Sequence, residues 1–100
     1  IKLSKYAAQG HWNDPDMLIV GNYGQGKATG GGGKYKGLTD VEYQSHMSLW
    51  AMLCSPLLSS CDLRNMNDPT KNILMNPELL AIHQDPKGEQ AKLITKSNGF

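Results

Sequence analysis

Asp14 and Asp16 stand two residues apart in the stretch from His11 to Val20, which reads His-Trp-Asn-Asp-Pro-Asp-Met-Leu-Ile-Val. On an extended chain that spacing turns both carboxylates to one side, roughly 6.5–7 Å apart along the backbone. Trp12 precedes them and Met17 follows. A carboxylate accepts hydroxyl protons, and flat or soft apolar groups cover the C–H face of a sugar ring. These four residues could therefore wall a carbohydrate pocket. They would equally suit a proline turn with both acids in water, and on these residues alone the two readings stand level.

Other chemistries fit less well. The segment from Gly21 to Leu38 holds eight of the eleven glycines, with Lys27, Lys34 and Lys36. It lacks the spacing of a phosphate-binding loop and the strand-to-helix turn that would carry one, so it reads as a surface insert. Cys54 and Cys61 flank a short predicted strand, which would part their Cα atoms by roughly 20 Å. A disulfide needs less than about 7 Å, so both read as free thiols. His11 and His46 have no partner at metal-ligand spacing and read as ordinary hydrogen-bonded side chains, and no cofactor or metal is implied. The net charge of +1 comes from scattered residues, which gives no argument for nucleic acid. No apolar run approaches the ~20 residues of a membrane span. Hydrophobic residues make up 39% and charged residues 19%, ordinary for a folded chain.

The elements that must position the acids follow from pattern. Residues 1 to 10 look like the tail of a helix and a Gly-ended loop. His11 to Asp14 reads as a short strand ended by Pro15. Thr39 to Glu42 forms a capping box that opens a helix to Cys54, with Tyr43, Met47 and Trp50 on its buried stripe and Pro56 as its stop. Leu57 to Cys61 reads as a second strand, with Asp62 at its end and Arg64 as a candidate partner. Asp68-Pro69 starts another helix, Asp68 as cap, broken near Asn76 and running to His83. Asp85 to Gly88 is a turn, and Gln90 to Lys96 alternates as a strand. Strand, helix, strand, helix suits a parallel α/β architecture.

The blocks WNDPDML (Trp12 to Leu18), Gly21 to Gly24, EYQSHMSLWAMLCSPLL (Glu42 to Leu58), Cys61 to Arg64 and AIHQDP (Ala81 to Pro86) occur in that order. Over roughly residues 8 to 90 the chain resembles the C-terminal half of melibiases, the alpha-galactosidases of glycoside hydrolase family twenty-seven. The resemblance implies the last two strand–helix units of a (β/α)8 TIM barrel in residues 1–87. The first strand of a C-terminal antiparallel β domain follows in residues 88–100. A whole barrel needs ~250 residues, so the chain is expected to be a piece of a longer protein. His11 to Asp14 would be strand seven and Leu57 to Cys61 strand eight, which places Asp14, Asp16 and Met17 at the barrel end where chemistry sits.

The implied reaction is retaining hydrolysis of an alpha-galactoside oligosaccharide or polysaccharide, with two carboxyl groups as nucleophile and acid/base. In the family these belong to a Tyr-x-Lys-Tyr-Asp motif and an Arg-x-x-x-Asp motif upstream of this region. Arg64 and Asp68 happen to fit the second but lie after strand eight, out of place. No catalytic residue is therefore expected here, and the isolated chain should be inactive. Carried over, Asp16 binds a sugar hydroxyl and Met17 packs the pocket edge. Asp14 stands behind them as a strand-end acid, and Trp12 is packing rather than platform. His83 stands where the family has Asn and Lys87 where it has Leu. The sugar stays open among alpha-galactosides, N-acetyl-alpha-galactosaminides and beta-L-arabinopyranosides. The rival is a carbohydrate-binding or interaction module complete at this length, or a relative with degenerate motifs. Localisation is open, a secreted or periplasmic place being compatible, as is the oligomeric state.

Overall fold

The structure, a computed structural model, describes residues 3–24 and 37–96. The choice between phosphate loop and insert falls on 25–36 and lies outside the described residues.

Helix α1, Asp40–Met52, starts at the expected capping box. The Thr39 hydroxyl accepts from the Glu42 amide at 3.4 Å, and the Glu42 carboxylate accepts from the Thr39 amide at 2.8 Å. Two of the free amides at the helix start are thereby satisfied. Tyr43, Met47, Trp50 and Ala51 are buried along one stripe. The helix stops before Pro56 can act. Cys54 takes a left-handed φ of +51°, Ser55 N–H returns to Trp50 O at 3.1 Å and Cys54 N–H to Ala51 O at 3.2 Å. This paired closure usually places Gly where Cys54 stands.

Helices α2 (Asp68–Leu74) and α3 (Pro77–His83) divide at Asn76, as expected. The cap of α2 lies one residue earlier than predicted. Asn67 accepts from Thr70 N–H at 2.9 Å, while Asp68 and Pro69 are already helical. Asn76 caps α3 by accepting from Glu78 and Leu79 N–H at 3.0 and 3.2 Å. Both α2 and α3 pack on α1.

The extended pieces meet differently from expectation. His11 pairs antiparallel with Ala8 across the Gly10 turn, so His11 to Asp14 contributes no parallel strand. The parallel contact is a single bridge between Leu18 and Ser59, with Ser60 N–H donating to Leu18 O at 3.2 Å. Pro15 has no amide to donate and the chain turns at Asp16, so pairing resumes only at the apolar run beyond. Of the strand expected over Leu57 to Cys61, only Ser59 pairs, through that one bridge. Residues 91–96 form no ladder; Ala91 N–H instead bonds Met52 O at the end of α1, 2.8 Å away. The core gathers Leu18, Val20, Tyr43, Met47, Trp50 and Ile73 between the paired segments and the helices.

Candidate functional site

Asp14, Pro15 and Asp16 form a tight turn rather than an extended run. The Asp14 carboxylate accepts the Asp16 N–H at 2.9 Å, and Asp16 has φ +82°. Aspartate tolerates that left-handed region better than most residues, and a side chain bonding the amide two residues on is its usual turn device. The two acids thus take different tasks. Asp14 spends an oxygen on holding the turn. No hydrogen bond reaches the Asp16 carboxylate among the described residues, and the residue is exposed. Met17 beside it is 56% exposed.

Trp12 serves another place. Its ring lies against the Asp85–Gly88 turn, where a Cβ on Gly88 would fall 2.8 Å from the ring edge. Asn13 points the same way, its amide donating to Gln90 Oε1 at 2.8 Å and Leu3 O at 2.9 Å. Lys87 N–H bonds the Asp85 carboxylate at 2.8 Å, closing that turn as predicted.

Behind the Asp16–Met17 pair the backbone is held from two sides. Leu18 O accepts both the amide (3.2 Å) and the hydroxyl (2.8 Å) of Ser60, whose oxygen also accepts from the Asn22 side chain at 3.1 Å. Ile19 N–H donates to His46 Nε2 at 3.2 Å. The His46 ring rests on Trp50, centroids 4.0 Å apart. Burial pushes the His46 pKa below the usual imidazole value, and the Met17 carbonyl facing the ring opposes this. The neutral ring is the form that accepts from Ile19. Ser60 and Asn22 went unread in the sequence, and His46 was read as hydrogen-bonded without a role. Its place three residues after Tyr43 and four before Trp50, beside the buried stripe, is the signal that could have found it.

Tyr43 closes the neck of the long loop, its hydroxyl accepting from Tyr23 N–H at 3.0 Å and Leu38 N–H at 3.2 Å. Arg64 and Asp62 pair as anticipated, Nε to Oδ1 at 3.0 Å, with the Arg64 side chain 87% exposed. A polar cleft of about 210 Å³ opens between Gly21, Tyr23, Asp62 and Asn67, but contains none of Asp14, Asp16 and Met17. The acid turn itself is open to solvent. Cys54 and Cys61 are free thiols, and His11 Nδ1 bonds Tyr6 O at 2.7 Å. His83 bonds Ser55 O through Nε2 at 2.7 Å. Among the described residues no cluster of His, Cys, Asp and Glu could hold a metal ion, and no helix is long and apolar enough to cross a membrane.

Comparison with known proteins gives one family. The family described as Alpha galactosidase A matches residues 2–85. An alpha-galactosidase of Oryza sativa is 46% identical over 95 residues, which are 95% of this chain and 20% of the relative. An alpha-N-acetylgalactosaminidase of Mus musculus is 42% identical over the same shares of both chains. The crystal structure of alpha-galactosidase I from Mortierella vinacea superposes with a TM-score of 0.79 at 36% identity, covering 96% of this chain and 21% of that one. The chain spans about one fifth of the length of these relatives.

Proposed function

The chain belongs to the Alpha galactosidase A family, and from that membership we propose that it is part of a retaining glycoside hydrolase releasing terminal alpha-linked galactose. Residues 1–87 are the last two strand–helix units of a (β/α)8 barrel, and residues 88–100 begin a C-terminal antiparallel β domain. The parallel meeting of Leu18 and Ser59, with α1 as the crossover between them, supports the barrel assignment.

In this reading Asp16 accepts a hydroxyl proton of the terminal sugar and Met17 packs the edge of its ring. Asp14 holds the turn, while Trp12 packs against the Asp85–Gly88 turn and stays away from the sugar. The observation that carries the reading is the division of labour within one turn: Asp14 is committed to the backbone, while Asp16 is exposed, its backbone held by Asp14 and its carboxylate without a hydrogen bond among the described residues. The same division argues against the two acids as nucleophile and acid/base. Those two groups belong to sequence upstream of this chain, where a retaining pair sits about 5–5.5 Å apart. The similarity to an alpha-N-acetylgalactosaminidase favours a second reading, with the acetamido sugar as substrate.

The test is Asp16→Ala in the full-length protein, assayed on nitrophenyl alpha-galactoside and its N-acetylgalactosaminide counterpart. A charge-assisted hydrogen bond is worth ~1.5–3 kcal/mol, so the specificity constant should fall roughly tenfold to a hundredfold on the better substrate. Retention within about twofold overturns the assignment of Asp16.

A further inference from the structure

We propose that His46 is a positioning residue for the sugar-contacting turn, holding Asp16 and Met17 in place through the backbone of the residues that follow them. The proposal rests on the reading of Asp16 and Met17 given above. The ring touches neither carboxylate nor sugar in this scheme. It accepts the Ile19 N–H at 3.2 Å and so grips the peptide that follows Leu18. On the other side Ser60 takes Leu18 O with both its amide and its hydroxyl. Each contact removes one freedom of the segment. The Leu18 bridge fixes its separation from the neighbouring strand, and His46 fixes its height over α1. Trp50 holds the ring itself, tilted against it at 48° with centroids 4.0 Å apart.

Asp16 needs this support more than an ordinary strand residue would. Its left-handed backbone at φ +82° is one that aspartate tolerates better than most residues but that still costs free energy without support from its surroundings. On the upstream side Asp14 supplies a hydrogen bond; on the downstream side His46 is the first side chain from a helix to grip the chain. A helix-borne anchor is a more rigid support for a binding turn than a loop-borne one.

The experiment uses the full-length protein and nitrophenyl alpha-galactoside, with kcat and KM measured for His46→Leu, His46→Gln, Asp16→Ala and the double variant Asp16→Ala/His46→Leu. Leucine fills similar space without an acceptor, whereas glutamine can present a carbonyl oxygen where Nε2 stands. The expected result is a KM raised about tenfold by His46→Leu with kcat changed far less, because the turn's contribution is binding. His46→Gln should recover most of that loss, and the double variant should fall no further than Asp16→Ala alone. Should His46→Leu fail to fold, His46→Asn, whose amide is too short to reach Ile19, takes its place with the same expected split. An unchanged KM with kcat scaling to the folded fraction would overturn the proposal, as would losses from Asp16→Ala and His46→Leu that simply multiply. An Asp16→Ala variant that keeps its activity removes the sugar-contact reading itself; an Asp16→Ala loss beside an intact His46→Leu overturns only the positioning role.

Discussion

Leu18 and Leu58 lie on the two segments that meet in parallel, and their surroundings are opposite. Leu18 is 2% exposed and Val20 is fully buried, both against α1, whereas Met17 is 56% and Leu58 76% exposed. Neighbours along an extended chain point to opposite faces, so one face of the pairing is closed by helix and the other is bare. The difference lies in what supplies the cover. The closed face is covered by α1, which follows the first segment in the chain and so comes at low entropic cost. On this face Ile19 packs in part against the core, but Met17 and Leu58 stay open, so the uncovered part carries leucine and methionine. That is the composition expected of a barrel interior, where neighbouring strands far along the chain fill the space. The proposed sugar contacts, Asp16 and Met17, sit at the edge of this bare face, where two further sides of a pocket would have to come from elsewhere.

The largest expected effect separates the chain from the protein that carries it. The isolated 100-residue product should turn over no nitrophenyl alpha-galactoside, since losing a nucleophile or acid/base costs many orders of magnitude. Turnover that follows the purified chain and disappears with Asp14→Asn or Asp16→Asn would break the comparison at its root, because a complete site would then lie on these residues alone.

Next in size comes a direct test of the two faces in the full-length protein. Leu18→Ala should destabilise by about 2–5 kcal/mol, the usual cost of emptying a packed leucine site. If the bare face is a barrel interior, Leu58→Ala should cost a similar amount despite its present exposure of 76%. Denaturant titration of both variants decides this. A Leu58→Ala change within about 0.5 kcal/mol of the parent is the behaviour of a surface residue and would remove the barrel from that side.

The helices were legible in the sequence because their signals are local. Thr39 and Glu42 satisfy each other's amides within one turn, Asn76-Pro77 restarts a helix for the same reason, and the Tyr43–Met47–Trp50 stripe needs only the helical period. The site was half legible. Residue types marked Asp14, Asp16 and Met17 as a group, but alternation assumed an extended chain. The Asp14 side chain bending back to Asp16 N–H replaced that with a turn, which moved the pairing from His11–Asp14 to Leu18. The α1 terminus failed similarly: Pro56 is a visible stop, while a left-handed Cys54 has no sequence mark of its own. His46 and Ser60 were missed as supports because their partners are backbone atoms 27 and 42 residues away. No periodicity reports such contacts.

The smallest expected effect lies at the rim of the covered face, where two exposed carboxylates are held below their ordinary values. The Arg64 side chain, then that of Asn65 and the Arg64 amide, favour the charged form of Asp62. The Thr39 amide, then its hydroxyl, do so for Glu42. Each group binds its proton less readily folded than unfolded. Its contribution to stability is therefore present above the unfolded carboxylate value of about 4 and is lost as pH falls through the lower folded value. Thr39→Ala removes the hydroxyl, which is both the helix cap and the lesser of the two donors to Glu42, and leaves the backbone amide in place, so its Tm should drop measurably at neutral pH. Asp62→Asn removes a pair that water and salt largely screen, and its Tm should stay near the parent's. On acidification to about pH 3 the parent should lose stability and the gap to Thr39→Ala should narrow, since the hydroxyl's bond to the Glu42 carboxylate, present in the parent alone, is then failing. A gap that stays constant from neutral to acid would mean that the Thr39 hydroxyl acts only by accepting the Glu42 amide, its bond to the carboxylate contributing nothing.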